Sequence, residues 1–316
     1  MKKITQIGCL WLCYLLTFSA TAQNDESSDE FGKLNIGIVM PEELDGFTSI
    51  HLQKLETKIL SLLNQSGIAS RGGSSGIIMY PVISIFNEQQ INPGIQTMTV
   101  IEGEISLFIK QVDDKFVFAS HTRKIKGSGR TREQAVNNLI SLLPNRSDEY
   151  GDFIKNAKTK VIDYYNKRCD MIVSKATQLS QANQHADAIS LLFNVPSETR
   201  CFEKARGKAL EVYRNYQNQI CGQLVLQGKA KLEANLYQEG FDILAKVDPS
   251  SSCFKDVNTL FTKHGAEVDE NVRRSWKLLE KIYANAFELE KYRWRAIGQW
   301  AVAYSSRPVV YERIIR

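Results

Sequence analysis

The chain has few of the side chains from which metal sites and acid–base pairs are built. Its four histidines, His51, His121, His185 and His264, are scattered, and no Cys-x-x-Cys pair accompanies them, so no ligand set stands at metal-binding spacing. Neither an HExxH helix nor a GxxxxGK[ST] phosphate loop occurs. Glu102 and Glu104 lie two apart and face the same way on a strand, but Gly103 between them and the hairpin that follows place them on an exposed sheet face, not in a cleft that raises a carboxyl pKa for catalysis. The reading is therefore non-enzymatic, with no catalytic residue, metal or cofactor. Charge of one sign is also scarce: the formal net charge is +5, too little to argue for a nucleic-acid partner. Beyond the first residues no apolar run approaches the roughly 20 residues that a membrane helix needs, and the mature chain is expected to hold no transmembrane segment.

What is present begins at the start of the chain. Lys2 and Lys3 precede the apolar stretch Cys9–Leu16, and Ala20-Thr-Ala22 follows. This is the three-part pattern of a secretory signal peptide over residues 1–22, with an apolar core too short to cross a bilayer; an uncleaved anchor is the rival reading. Cleavage removes Cys9 and Cys13, neither of them placed as a lipidated cysteine is. The short basic-then-apolar style is bacterial, which puts the product in the periplasm or outside the cell, peripheral to the outer membrane at most. Residues 23–33 open with an acidic, serine-rich run that has nothing to bury, and they read as a flexible tether.

Two stretches further along repeat each other. Cys169–Phe202 and Cys221–Phe254, laid together at an offset of 52 residues, agree at eight of 34 positions without a gap, including Val173/Val225, Ala182/Ala234, Asn183/Asn235, Leu192/Leu244 and Val195/Val247. Such self-similarity marks stacked helical units. In the first copy Val173, Ala176, Leu179 and Ala182 share one helical face, Ala188, Leu191 and Leu192 begin a second, and a polar turn at Asn183-Gln-His185 lies between them. Pro196 and Pro249 end the second helices. Each copy places one cysteine at the start of its first helix and one just after its second. An antiparallel hairpin returns those positions to the same end, so the expected bridges are Cys169–Cys201 and Cys221–Cys253, among the three pairings that four cysteines allow. Free buried thiols and a metal site are the weaker readings. An oxidising compartment favours the bridges.

The phrasing from Ala176 through His185-Ala-Asp-Ala-Ile-Ser-Leu-Leu192 resembles a tetratricopeptide unit. The resemblance covers the helix-turn-helix core. The spacing exceeds that family's repeat of about 34 residues, and Gly240-Phe241 departs from its usual small residues, so the unit is a tetratricopeptide-like hairpin with an elongated connecting helix.

Residues 34–144 are of another kind. A strand over Leu34–Met40, a helix over His51–Leu63 ending near Gly67, a strand over Ile77–Phe86 with Pro81 at an edge or bulge, and a hairpin of Glu104–Val112 with Phe116–Ile125 give way to a helix capped by Thr131. Together with the helical half this makes an α+β protein: strand, helix, three strands and helix, then helical hairpins over 145–265 and a long C-terminal helix and tail over 266–316. The opening strand and helix, the hairpin Ile105–Phe118, and Gly127-Ser-Gly-Arg-Thr131 leading into Glu133-Gln-Ala135 resemble the small α/β domain of curli secretion channel subunits and penicillin-binding-protein activators. That resemblance covers about a third of the chain. It implies an envelope protein that binds partners, and it carries no catalytic residues. The channel's membrane hairpins and the group's lipidation signal have no counterpart here.

Two further groups merit naming. Gly127, Ser128, Gly129, Arg130 and Thr131, with Lys124 and Lys126 nearby, form a candidate anion loop at a helix N-terminus; the plainer reading is a tight strand-to-helix connection. Trp294, Trp300, Arg293 and Arg295, in the amphipathic segment Val268–Tyr304, are hot-spot residue types and form a candidate partner surface; the plainer reading is a helix that closes the end of the stack. The tail Arg307–Ile315 has the extended character of a strand that adds to a sheet edge. The functional expectation is an exported adaptor or assembly factor of the bacterial cell envelope, with other envelope proteins as partners and its oligomeric state open. The alternative is a periplasmic ligand-binding or cell-wall-modifying protein that uses the cleft between modules.

Overall fold

The computed structural model describes residues 31–70, 76–92, 94, 96–144 and 148–305. The signal peptide with Cys9 and Cys13, most of the tether, the loop residues 71–75 and the tail beyond 305 lie outside the described residues.

Strand β1 (Ile36–Ile38) opens the chain, and helix α1 (Ser49–Gln65) follows. Thr48 caps α1 reciprocally with His51: its Oγ1 accepts from the His51 amide at 3.4 Å, and its own amide donates to His51 Nδ1 at 3.1 Å. A two-residue strand, β2 (Ala69–Ser70), then pairs parallel with β1; its brevity explains why no periodicity announced it. Strands β3 (Ile77–Ile91), β4 (Met98–Gln111) and β5 (Val117–Gly129) form an antiparallel meander, all three longer than the alternating stretches in the sequence. The sheet order is β2-β1-β3-β4-β5. Strand β1 pairs with β3 only at Ile78 and Met79, so Pro81 stands beyond that ladder, where its missing N–H costs no bond to β1.

Ile105, Leu107 and Ile109 alternate into the core while Glu104 and Ser106 face away. Helix α2 (Arg132–Ser141) covers β5 and β4, capped by Thr131, which accepts from the Gln134 amide at 3.2 Å. Helix α3 (Asp148–Lys167) lies along β5, beginning inside the stretch 145–149 that reads as a linker in the sequence. Its far end is pinned to the β4–β5 turn, where Asp114 accepts from Tyr164 Oη at 2.6 Å and pairs with Arg168. Burial, and then this bond to Asp114, push the Tyr164 hydroxyl up to about 12.

Helices α4 (Cys169–Gln181) and α5 (His185–Phe193) make the first hairpin. Helix α6 (Phe202–Glu233) is a single element of 32 residues, so the second copy does not begin a new helix at Cys221, which sits in the middle of α6. Helix α7 (Tyr237–Leu244) packs back on it, and α8 (Phe254–His264) follows. The long C-terminal segment breaks at Asn285 into α9 (Glu270–Ala284) and α10 (Ala286–Ser305). Cys169 and Cys201 have Cα atoms 5.4 Å apart, and Cys221 and Cys253 6.0 Å, both within the span of a disulfide.

The apolar core does not break at residue 144. One cluster runs from the sheet through α1–α5 and the first part of α6 and takes in Trp294, Ile297 and Ala301 of α10. A second, smaller cluster gathers Cys221, Leu232, Phe241, Leu244, Phe261 and Leu279 from α6–α9.

Candidate functional site

Where α6 and α10 begin, their first turns meet around a groove of about 310 Å³. Phe202 and Arg206 come from α6, Phe287, Glu290, Lys291 and Trp294 from α10, and Phe31 closes one wall. Each component is held by its own local chemistry. Cys201, bonded to Cys169, fixes the start of α6. Asn285 caps α10, its side-chain oxygen accepting from the Phe287 amide at 3.0 Å and the Glu288 amide at 3.2 Å. Trp294 forms the floor: it is buried against Phe31, with ring centroids 4.8 Å apart, and the Arg206 guanidinium lies 5.1 Å from the centre of its ring. Arg206 also pairs with Glu290 at 2.9 Å, which in turn accepts from the Trp294 indole at 3.3 Å. Above this floor Phe287 is 73% exposed, an aromatic ring left at the rim. A lining of rings with fixed cations at its edge suits an apolar or aromatic side chain flanked by negative charge.

The stretch Phe31–Lys33 is not part of a tether. Phe31 packs on Phe193, Phe202 and Trp294. Gly32 has φ +79, and a β-carbon there would run into the Phe202 ring; its carbonyl accepts from the Ser197 amide at 2.6 Å. The polar character of the preceding residues hid this anchor.

Of the candidate partner surface, only Trp294 belongs to the groove, and it faces inward. Arg293 points away from it, into a bidentate pair with Asp248 at 2.7 Å from each oxygen. Burial pushes the Asp248 carboxyl up, but the bonds from Arg293 and Ser250 outweigh it and hold the group below the usual carboxylate range. Trp300 packs on Tyr216 at 4.3 Å, and Arg295 is half-buried. The four do not share one exposed face, because residues one apart on a helix diverge by about 100°.

The candidate anion loop is corrected as well. Gly127, Ser128 and Gly129 are the last residues of β5, paired with Ile101, Val100 and Thr99. Three amides of this stretch are engaged by the chain itself: Ser128 donates to Asn138, Arg130 to Gln134, and Gln134 to Thr131. The glycines serve the packing of α2, since a β-carbon at Gly129 would stand 2.6 Å from the Ala135 amide nitrogen and one at Gly127 would strike the Ala135 carbonyl. Glu102 is tied to Lys126 at 2.6 Å and to Asn87 at 3.1 Å across the outer sheet face; these bonds to Lys126 and Asn87 lower its pKa, whereas a general acid needs it raised. The letters Gly72-Gly-Ser-Ser-Gly76 fit GxSxG but join β2 to β3, whereas a nucleophile elbow leads from a strand into a helix. Among the described residues no group of three or more His, Cys, Asp or Glu is placed to hold a metal, and no helix is long and apolar enough to cross a membrane.

No protein-family model, curated protein or solved structure matches the chain.

Proposed function

We propose that this chain is an exported, non-enzymatic adaptor of the bacterial cell envelope and that it docks other proteins at the groove between the first turns of α6 and α10. The observation that carries the reading is the exposed Phe287 ring above the Trp294–Arg206 floor. Aromatic residues and arginine converging on one concave site are the usual anchors of a protein interface. Export is supported by the basic-then-apolar start of the chain and by two cysteine pairs at disulfide distance, which suit an oxidising compartment. The resemblances of residues 34–144 to envelope domains, and of the two hairpins to tetratricopeptide units, point the same way. The alternative occupant, a small ligand, is favoured by the groove's volume, which falls at the lower end of the range for ligand pockets.

The test replaces Phe287 by a photo-crosslinking phenylalanine in cells that export the protein, with exposed Leu226 on α6 as the control position. One discrete protein adduct is expected from position 287, absent from 226 and lost with Arg206→Glu. The same adducts from both positions, or none from either, would overturn the docking role. Saturable binding of an envelope metabolite, lost with Phe287→Ala and without any protein adduct, would establish the small-ligand reading in its place.

A further inference from the structure

Helix α1 starts with a titratable group in an unusual place. A capping box is ordinarily closed by Glu or Gln at the third helical position, whose side chain accepts from the N-cap amide. Here that position holds His51: its Nδ1 accepts from the Thr48 amide at 3.1 Å, and Thr48 Oγ1 accepts from the His51 amide at 3.4 Å. A ring nitrogen accepts only when it carries no proton, so neutral imidazole closes the box and the ring proton sits on Nε2. His51 is 1% exposed, and Nε2 is buried with no hydrogen-bond partner among the described residues.

The box also fixes what lies before it. Phe47, next to the cap, sets its ring edge-on to the imidazole, with centroids 6.1 Å apart, and its amide closes a turn on the Leu44 carbonyl at 2.9 Å. Within that turn Gly46 has φ +75, and a β-carbon there would run into the Arg132 guanidinium, which donates to the Gly46 carbonyl at 2.7 Å and pairs with Glu88 of β3 at 3.0 Å. Lys54 of α1 and Arg132 at the start of α2 oppose a charge on the ring, and Glu133 favours one; β1 and β2, also packed on α1, bring no charged side chain. Burial is the largest influence, and it holds the pKa of the ring below the usual value.

We propose that His51 makes the entry to α1 a pH-operated latch: neutral, it closes the Thr48 cap and holds the Leu44–Phe47 turn against α2; protonated, it turns an N–H toward the Thr48 amide and releases both. Protonation sets two donors face to face and places a charge beside two cations, away from solvent, whereas in the open latch the ring is hydrated. Because burial depresses the pKa, the latch is at full strength above the open-state value of about 6.5 and weakens as pH falls from there to the closed-state value. Each pKa unit between the two is a tenfold change in the ratio of closed to open. Glutamine in the same place would close the box at every pH, so histidine is what makes it titratable. The latch lies in the sheet domain and does not depend on the docking role of the groove.

The experiment titrates the ring and the latch separately in the full chain. The ring-carbon resonance of carbon-labelled histidine that disappears in His51→Gln is expected to titrate below about 6.5. Hydrogen exchange, corrected for the intrinsic pH dependence of amides, should show the segment 44–55 losing protection between about pH 7.5 and about pH 5, tenfold for each unit by which the ring titrates low, while β4 keeps its protection. His51→Gln, which retains the box, should hold the same protection over 44–55 at both pH values. His51→Asn, whose carbonyl oxygen falls near the place of Nδ1, serves in the same way should His51→Gln not fold. A ring that titrates at or above about 6.5, protection over 44–55 that is indifferent to pH, a loss that persists in these variants, or an equal loss in β4 overturns the proposal.

Discussion

Two asparagines show how much one backbone angle decides. Asn183 and Asn235, equivalent at the 52-residue offset, both adopt φ +61 just past the ends of α4 and α6. In each turn the next amide reaches back to a helix carbonyl, Gln184 to Leu179 at 2.8 Å and Leu236 to Lys231 at 2.9 Å, the six-to-one bond of a Schellman ending. Asparagine tolerates this left-handed geometry and alanine does not. Asn183→Ala and Asn235→Ala are expected to destabilise by about 1–2 kcal/mol each, while the glycine variants stay near wild type, as read by thermal unfolding. Asp248 is the other decisive residue: its side chain is 0% exposed and that of Arg293 11%. Asp248→Asn leaves a buried guanidinium without its counter-charge, a loss of about 3–5 kcal/mol. Because the folded pKa of Asp248 is depressed, its contribution is full above the unfolded carboxyl value near about 3.9 and disappears as pH falls through the folded value. The gap in Tm between wild type and Asp248→Asn should be flat from pH 5 to 8 and close in more acid solution.

At the scale of elements, the two cysteine pairs tie different things. Cys169–Cys201 joins the start of α4 to the residue before α6, whereas Cys221–Cys253 joins the middle of α6 to the residue before α8. Each closes a loop of 32 residues and stabilises by roughly 3–4 kcal/mol on the chain-entropy model. Replacing Cys221 and Cys253 by serine is expected to loosen α7 and α8 while the sheet keeps its protection. Replacing Cys169 and Cys201 should loosen the first core and open the Phe31–Phe202–Trp294 cluster, seen as increased tryptophan exposure. Both pairings could be read from the sequence, because each pair shares the separation of 32 residues and a chain that doubles back as an antiparallel helical hairpin returns such positions to one end. The cap at Thr131, the alternation through Ile105–Ile109 and the edge position of Pro81 were legible for the same reason: each depends on local geometry. The groove was not. Phe31, Phe202 and Phe287 are 171 and 85 residues apart along the chain, and no pattern short of the tertiary fold brings them together. Trp294 and Arg293 had the composition of an interface, but adjacent helical positions sent one to the groove floor and the other to Asp248.

For the whole molecule, the question is how its two larger apolar cores behave as one protein. Helix α6 runs through both, and α10 returns from the second to the first, burying Trp294, Ile297 and Ala301 there. The seam between them is polar. Arg293 reaches Asp248, Gln217 accepts from the Asp248 amide at 3.2 Å, and the hydroxyls of Tyr283 and Tyr292 donate to the Ala245 carbonyl at 3.3 and 3.1 Å. Burial raises the pKa of Tyr213, Tyr283 and Tyr292 alike, so all three are neutral in the seam, and Tyr283 and Tyr292 act there as donors. Removing one partner of such directed bonds leaves the other buried and unpaired, which costs more than the bond itself contributed. Arg293→Met removes the bidentate link but leaves the α10 contacts of Trp294 and Ile297 in place. Native-state hydrogen exchange should then show the amides of α7–α9 opening at lower free energy than those of β3–β5, where wild type has the two closer together. The double variant Arg293→Met, Asp248→Leu should recover part of the difference, because the stranded carboxylate is gone and apolar contact replaces it. If Arg293→Met instead lowers the protection of both regions equally, α6 alone binds the cores into one cooperative unit and the polar seam is dispensable.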